Sequence, residues 1–351
     1  MPESFMRQIV IVLIVMVAYQ SLLVEVAVGC VSRGIICTLM VVVNGLLLGN
    51  KSIFREGKLE MDMKDFKLLI APLAGFGDYI LLKGIIEALD EVYDVSLMKG
   101  DEKMLSFLFP YIKQAGIDAV GSFDGLVDLN VYADVQPEVG DARLVMGIQN
   151  KLEQDLYGAY THPDHKHVSD IVLDELHNKG LHIAEDAFAL APQISVNANT
   201  VDRVLDRFAL DEGQYTVLLP GSSERLKHKR WPHYAELAKE IDKELEQLVF
   251  LGTSVEKDLL HDVQQEAGNG LKVMDLAPDE SAALLWASNA VVGNDSGSTH
   301  LAASVGAEGV MLFGQGSSPE TFAPRGSLMK LLQKDDISEI SVRDVLEKLA
   351  A

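Results

Sequence analysis

Between Phe66 and Gly314, short apolar runs repeatedly end in glycine- or serine-containing turns that open helical patterns. Such runs are too continuous for strands with one wet face. Their succession as strand, turn and helix specifies parallel sheets covered by helices on both faces. In the clearest unit Val291-Val292-Gly293 reads as a central strand and Asn294-Asp295-Ser296-Gly297-Ser298 as a tight polar turn. Leu301, Ala302 and Val305 then form the packed face of a helix that Asp295 or Ser296 can cap. A helix start presents unpaired N–H groups and the positive end of the dipole, and Gly297 lets the backbone approach an anion closely. The same turn serves a phosphate or an ordinary capped helix without a ligand.

In the first half, Phe66-Lys67-Leu68-Leu69-Ile70-Ala71-Pro72 reads as a strand. It leads through Leu73-Ala74-Gly75-Phe76-Gly77-Asp78 into a helix with Ile80, Leu81, Gly84, Ile85 and Leu89 on one face. Gly75 and Gly77 allow a sharp turn. Asp78 falls in the first helical turn, at the edge where open α/β sheets bind ligands, and it either caps the helix or meets a ligand. The third glycine of a dinucleotide fingerprint is missing, so no NAD site is expected. Further units are expected at 92–98, 104–116, 126–129, 142–147 and 168–179. His162, His165 and His167 have no acidic or cysteine partner at metal-ligand spacing, and they read as a polar loop ahead of a helix near Ser169.

Residues 192–199 connect to a second half that opens with a helix at 201–208. Tyr215-Thr216-Val217-Leu218-Leu219-Pro220 is a strand ending in Gly221-Ser222-Ser223. Arg230-Trp231-Pro232-His233-Tyr234 then starts a helix with proline in its first turn. Lys227, Lys229 and Arg230 are a basic cluster in a chain of net charge -22, so an anion would be held locally, while the overall charge excludes a nucleic-acid partner. Leu248-Val249-Phe250-Leu251-Gly252 is a strand leading into a helix near Glu256. A helix at 279–287 precedes the Val291 strand, and Met311-Leu312-Phe313-Gly314 follows that strand's helix. A terminal helix at 338–350 is expected to return to the first domain. At 351 residues and 48% hydrophobic content the chain can support two cores, and two Rossmann-like halves with a cleft between them are expected.

Ahead of these halves, residues 9–49 are almost continuously apolar, interrupted by Gln20, Ser21, Glu25, Ser32, Arg33 and Asn44. Two spans near 9–28 and 31–49 approach the roughly 20 residues that a bilayer requires, and a helical hairpin anchor over 1–60 is the expected arrangement. Glu25 inside the first span leaves open a single span with an interfacial remainder. Arg7, Lys51, Arg55 and Lys58 flank the hairpin where both ends emerge, against Arg33 in the turn, which places the globular part in the cytoplasm. The apolar region is too long for a signal peptide. A start at Met61 or Met63 would remove the segment altogether. The cysteines, Cys30 and Cys37, both lie within it, so the remainder has no disulfide framework, as suits a reducing compartment.

Five stretches together resemble the ADP-heptose:lipopolysaccharide heptosyltransferase family, glycosyltransferase family 9. They are Ala74-Gly75-Phe76-Gly77-Asp78, Pro220-Gly221-Ser222-Ser223, Lys229-Arg230-Trp231-Pro232, the run from Gly293 through Ala303, and Leu312-Phe313-Gly314. The resemblance covers nearly all of 64–335 and implies the α/β fold of GT-B type, two facing Rossmann-like domains. Residues 64–196 would form the acceptor domain, 200–335 the nucleotide-sugar domain and 336–351 a C-terminal helix. It implies transfer of heptose or a related sugar with inversion, without a metal or cofactor, from an ADP-heptose-like donor to a glycolipid acceptor such as lipopolysaccharide core. That activity belongs at the cytoplasmic side of a bacterial inner membrane. Asp78 would be the base; Ser222, Ser223, Lys229, Ser296, Gly297 and His300 would hold the donor diphosphate; Gly252 and Glu256 are similar to nucleoside contacts. Gly75, Gly77 and Asp295 would shape the turns. No Asp-x-Asp, the metal signature of many other glycosyltransferases, occurs in the chain. The apolar extension and the poor match over 121–165 depart from the family pattern. A nucleotide-sugar epimerase on the same fold and a non-catalytic, membrane-anchored nucleotide-sugar binder are the alternatives.

Overall fold

The computed structural model describes residues 63–132, 144–148, 152–154, 160, 161, 166–184, 194–242 and 247–351, together with the paired strands Phe54–Arg55 and Lys58–Leu59. The apolar stretch 9–49 with Cys30 and Cys37, and also His162 and His165, lie outside the described residues. Among the described residues no helix is long and apolar enough to cross a membrane. Phe66–Glu175 and Ile183–Ala351 form one compact unit that carries both sheets described below.

The first sheet is built from β1 (Lys67–Ile70), β2 (Asp94–Met98), β3 (Lys113–Ala115), β4 (Gly125–Asp128) and β5 (Val145–Gly147). Its spatial order is β3-β2-β1-β4-β5 and every pairing is parallel, with Leu69 registered against Ser96 on one side and Leu126 on the other. Leu68, Leu69 and Ile70 are buried, as a central parallel strand covered on both faces requires. The helical run after β1 is two helices, α1 (Phe76–Leu81) and α2 (Lys83–Val92), interrupted at Leu82. Ile80, Ile85 and Leu89 are buried as the periodicity requires, whereas Leu81 and Gly84 are only half-buried because the break rotates the face. α3 (Glu102–Leu108) connects β2 to β3, its first turn capped by Asp101 accepting from Met104 N; α4 (Val168–Asn178) and α5 (Ala198–Phe208) follow β5.

The second sheet contains β6 (Tyr215–Leu219), β7 (Gln247–Gly252), β8 (Leu271–Met274), β9 (Ala290–Asn294), β10 (Gly309–Phe313) and β11 (Met329–Gln333). The order is β8-β7-β6-β9-β10-β11, again all parallel, with Val217 opposite Val249 and Val291. Between the strands run α6 (Tyr234–Asp242), α7 (Lys257–Ala267), α8 (Pro278–Trp286), α9 (Gly297–Ser304) and the short α10 (Pro319–Phe322). Leu218, Phe250, Val292 and Leu312 pack with Leu237 and Ala238 of α6 and Leu260 of α7, while the alternate positions Val217, Val249, Val291 and Met311 are equally buried. Each such fully buried side chain contributes about 1.5–3 kcal/mol of transfer free energy.

The terminal helix α11 (Val342–Ala350) overturns one expectation. Val342 and Val345, with Ile337 and Ile340 before them, join the core against Val310 and Leu312, so the chain end packs on the second sheet and not on the first domain. α6 also begins at Tyr234, beyond Pro232, because Trp231 is pinned outside the helix: its N–H donates to Asn294 Oδ1 and its indole to Ile340 O. β8 and β11 are edge strands whose half-exposed positions include Lys272 and Lys330, so neither presents a continuous apolar run to reveal it.

His167 lies in the loop directly ahead of α4, as expected, but it is not a solvated residue. It is buried, with Nε2 2.9 Å from Ala323 O and Nδ1 2.7 Å from Ser169 Oγ and 3.2 Å from Ser169 N. A carbonyl on one side and a backbone N–H on the other demand the neutral Nε2–H tautomer. Beside it Arg325 forms a bidentate pair with Asp170, so the start of α4 is tied to the segment after α10. Burial, reinforced by the Arg325 charge, pushes the His167 imidazole down to about 4. The unfolded chain takes up this proton near pH 6.5 and the folded chain only near 4, so this contribution is full above pH 6.5 and is lost as pH falls through that window. The lost stability is on the order of 3 kcal/mol by linkage. Thermal unfolding of wild type and His167→Gln from pH 7 to pH 4 is expected to show a steeper fall in the wild type; parallel curves would remove His167 as the cause.

Candidate active site

In both sheets the strand order reverses beside the first strand, at β1/β4 and at β6/β9, and the crevices at those points are the natural ligand positions of doubly wound sheets. The loops after these four strands supply the polar residues of a single solvent-open cavity of about 230 Å³. Asp78 and Tyr132 come from the first sheet; Ser222, Ser223, Lys229, Ser296, Gly297 and His300 come from the second. Two glycines make the convergence possible. A β-carbon on Gly77 would lie 3.1 Å from His300 Cδ2 and 3.3 Å from Gly297 Cα, and one on Gly297 would lie 3.1 Å from Gly77 N. The first turns of α1 and α9 therefore meet backbone to backbone.

Asp78 stands half-buried in the first turn of α1. Among the described residues its carboxylate accepts one hydrogen bond, from Tyr132 Oη to Oδ1 at 2.6 Å, and it caps no backbone N–H. Burial pushes the Asp78 carboxyl above the ordinary range. The Tyr132 bond and then the charges of His300 and Lys229 oppose that rise, while Asp295 adds to it. A half-buried carboxyl raised in this way beside a cavity is a candidate for a general base.

Asp295 corrects the sequence reading. It does not cap α9: Ser296 occupies the cap position without a side-chain cap bond, its Oγ 3.2 Å from Thr299 Oγ1. Asp295 instead accepts from Lys229 Nζ at 2.6 Å on Oδ2 and lies 3.1 Å from His300 Nε2 on Oδ1. All three side chains are buried. Burial alone would raise the Asp295 carboxyl, but Lys229 and His300 outweigh it and hold the group far below the ordinary range. With Nε2 donating to Asp295, His300 Nδ1 is buried without a hydrogen-bond partner among the described residues. The Lys229 ammonium also lies 5.5 Å from the centre of the Phe322 ring.

The loop carrying Lys229 is shaped from two sides. Ser222 Oγ donates to Leu226 O and accepts from Arg230 Nε, while Arg230 also reaches Ser222 O and Glu224, so Ser222 braces the loop as well as lining the cavity. Fully buried Asn294 donates through Nδ2 to Pro220 O and Gly221 O and accepts from Trp231 N, joining the ends of β6 and β9 to the basic segment. Gly252 and Glu256 stand apart from the cavity lining. Glu256 accepts from Thr253 N and Oγ1, boxing the turn after β7, and packs against Gly221. Tyr132, Phe322, Arg225 and Phe76 also line the cavity and were not singled out as site residues by sequence. Tyr132 could have been found from its place just beyond β4; Phe322, in a short helix after β10, carries no such signal. Among the described residues no cluster of three His, Cys, Asp or Glu side chains is placed to hold a metal ion.

Residues 179–344 match the family model for Glycosyltransferase family 9 (heptosyltransferase). Lipopolysaccharide heptosyltransferase 2 of Escherichia coli (strain K12) is 30% identical over 143 residues, 38% of this chain and 41% of that protein, so the alignment spans well under half of that relative. Among solved structures, a glycosyl transferase family 9 protein from Veillonella parvula DSM 2008 is similar with a TM-score of 0.63 at 17% identity, covering 83% of this chain and 97% of that one. The E. coli ADP-heptose lps heptosyltransferase II is similar with a TM-score of 0.60 at 19% identity, covering 81% and 97%. At such identities the structural likeness establishes the fold, two parallel-sheet α/β domains of GT-B type.

Proposed function

We propose, from the match of residues 179–344 to glycosyltransferase family 9, that this chain is an inverting glycosyltransferase of that family that moves a heptose or related sugar from an ADP-sugar to a glycolipid such as lipopolysaccharide core. One observation carries this reading: a raised, half-buried carboxyl from the first sheet and a cationic, helix-start cluster from the second line the same cavity. In the proposed step Asp78 takes the proton of the acceptor hydroxyl as its oxygen bonds to the anomeric carbon. The bond from that carbon to the diphosphate oxygen breaks on the opposite face, and its electron pair leaves with ADP. Lys229 keeps one N–H on Asp295 and has two more for the diphosphate, beside the N–H groups that open α9. Fixed donors aimed at a charge that grows in the transition state stabilise it without reorganisation. Ser223 and Ser296 line the same wall, and His300, held by Asp295, completes it. The turn containing Gly252 and Glu256 is assigned to the nucleoside. The apolar stretch 9–49, as an anchor, would hold this chemistry at the cytoplasmic membrane surface, where a lipid-linked acceptor is presented.

The test is incubation of the full chain in detergent with ADP-heptose, with and without lipopolysaccharide core acceptors truncated at successive sugars. Acceptor-dependent release of ADP, with a gain of one heptose mass on the acceptor, is expected. Alteration of ADP-heptose with no acceptor present would replace the transferase reading with an epimerase. Tight donor binding without turnover on any acceptor would replace it with a binding protein.

A further inference from the structure

Tyr132 stands just beyond β4, bridged in parallel to Leu152. Its hydroxyl bond to Asp78 Oδ1, at 2.6 Å, has the length of a charge-assisted hydrogen bond. The tyrosine ring lies stacked on Phe322, with centroids 6.4 Å apart and planes inclined by 16°. Phe322 belongs to α10 of the second sheet, and its ring is also the one beneath the Lys229 ammonium. The other Asp78 oxygen, Oδ2, is turned toward Gly75, where a β-carbon would lie 3.3 Å away, and Gly75 borders the cavity. One carboxylate oxygen is thus held from the first sheet while the second faces the cavity's glycine rim.

We infer that Tyr132 is a positioning residue for Asp78: its hydroxyl fixes Oδ1 so that Oδ2 is presented to the acceptor hydroxyl, with Phe322 bracing the tyrosine ring from the second sheet. This inference rests on the reading of Asp78 as the base. A free carboxylate rotates about its last side-chain bond and offers either oxygen, whereas one anchored on a short bond offers a single lone pair in a fixed direction. The stack also joins the two functions of the cavity, because one phenylalanine touches both the ring that orients the base and the cation assigned to the diphosphate. The charged and titratable groups facing Asp78 are Tyr132 from the end of β4, Lys229 from the loop after β6, and Asp295 and His300 from the end of β9 and the start of α9. Among the influences that hold its carboxyl down against burial, the tyrosine bond is the largest, so its loss drives the carboxyl further up.

The test compares wild type, Tyr132→Phe, Phe322→Leu and Asp78→Asn as full chains. The pH profile of kcat/KM for ADP-heptose transfer is measured together with a ¹³C-carboxyl NMR titration of Asp78, its resonance assigned by its loss in Asp78→Asn. In Tyr132→Phe the acid limb and the NMR titration are both expected to move up by roughly one pH unit. kcat is expected to fall by about 10-fold, with KM for the donor unchanged. Phe322→Leu, which keeps the hydroxyl but loosens its ring, is expected to move the titration in the same direction by less. An unmoved NMR titration in Tyr132→Phe overturns the positioning role. Turnover that survives in Asp78→Asn instead overturns the base reading and with it the reason for positioning, an outcome the NMR arm tells apart from the first.

Discussion

Replacing Asp78 by Asn is expected to lower turnover by about 10²–10⁴-fold while ADP-heptose affinity stays within a few-fold of wild type, because a general base contributes in that range and the amide cannot take the acceptor proton. The substitution is nearly isosteric, and the amide oxygen still accepts from Tyr132, so the pocket keeps its shape. Stability provides a second, independent readout. The folded carboxyl sits above its unfolded value because burial opposes its charge. Sign follows from linkage: the folded state binds this proton more tightly than the unfolded chain, so ionisation destabilises the fold as pH rises above the unfolded value of roughly 4. Asp78→Asn is therefore expected to leave Tm unchanged or raise it at pH 7, a loss of activity without loss of fold. Steady-state kinetics, isothermal calorimetry with ADP-heptose and thermal unfolding check the three parts. Wild-type turnover in this variant would sink the base assignment, and a drop in Tm of several degrees would mean that the carboxylate is structural.

The parts of this molecule that were readable from sequence are those where one local rule decides the outcome. β1, β6, β9 and β10 are central strands buried on both faces, so Leu68-Leu69-Ile70 or Val217-Leu218-Leu219 could hardly be anything else. The Gly77 and Gly297 turns were legible as places of close backbone approach, though not that they approach each other, which depends on how α1 and α9 come together. Asp295 shows the limit most clearly. As the second residue of an Asn-Asp-Ser-Gly turn it has the local chemistry of a helix cap, yet a lysine 66 residues earlier and a histidine one helical turn later both claim its oxygens. Long-range partners of that kind leave no periodicity behind. Trp231 and Asn294 belong to the same class. Their motifs stood out, but the bonds that explain them run to Ile340 O, Pro220 O and Gly221 O. Tyr132 and Phe322 form their stack only because loops after β4 and β10, in different sheets, end up side by side.

Lys229→Met is the second large effect, and it separates two roles that the same ammonium plays. In the resting cavity Lys229 compensates a buried carboxylate; in the proposed reaction it meets the leaving diphosphate. Removing it strands Asp295 with His300 alone, and breaking a buried pair from one side costs about 3–5 kcal/mol. Tm should drop accordingly. The Asp295 carboxyl lies far below its unfolded value, so its stabilising contribution is complete above pH of about 4 and is lost as pH falls toward its depressed folded value. In Lys229→Met that support weakens, so the stability gap between variant and wild type is expected to be widest near neutral pH and to narrow on acidification. Pairing the variant with Asp295→Asn removes the stranded charge, and the double substitution should recover much of the lost stability. It should not recover catalysis: with no cation opposite the diphosphate, turnover is expected to remain down by about 10²–10³-fold, the usual cost of deleting one fixed stabilising donor. Thermal unfolding and single-turnover ADP release on both variants decide the matter. If the double variant regains turnover along with stability, Lys229 serves only to neutralise Asp295, and the diphosphate must be met by the start of α9 and His300 without it.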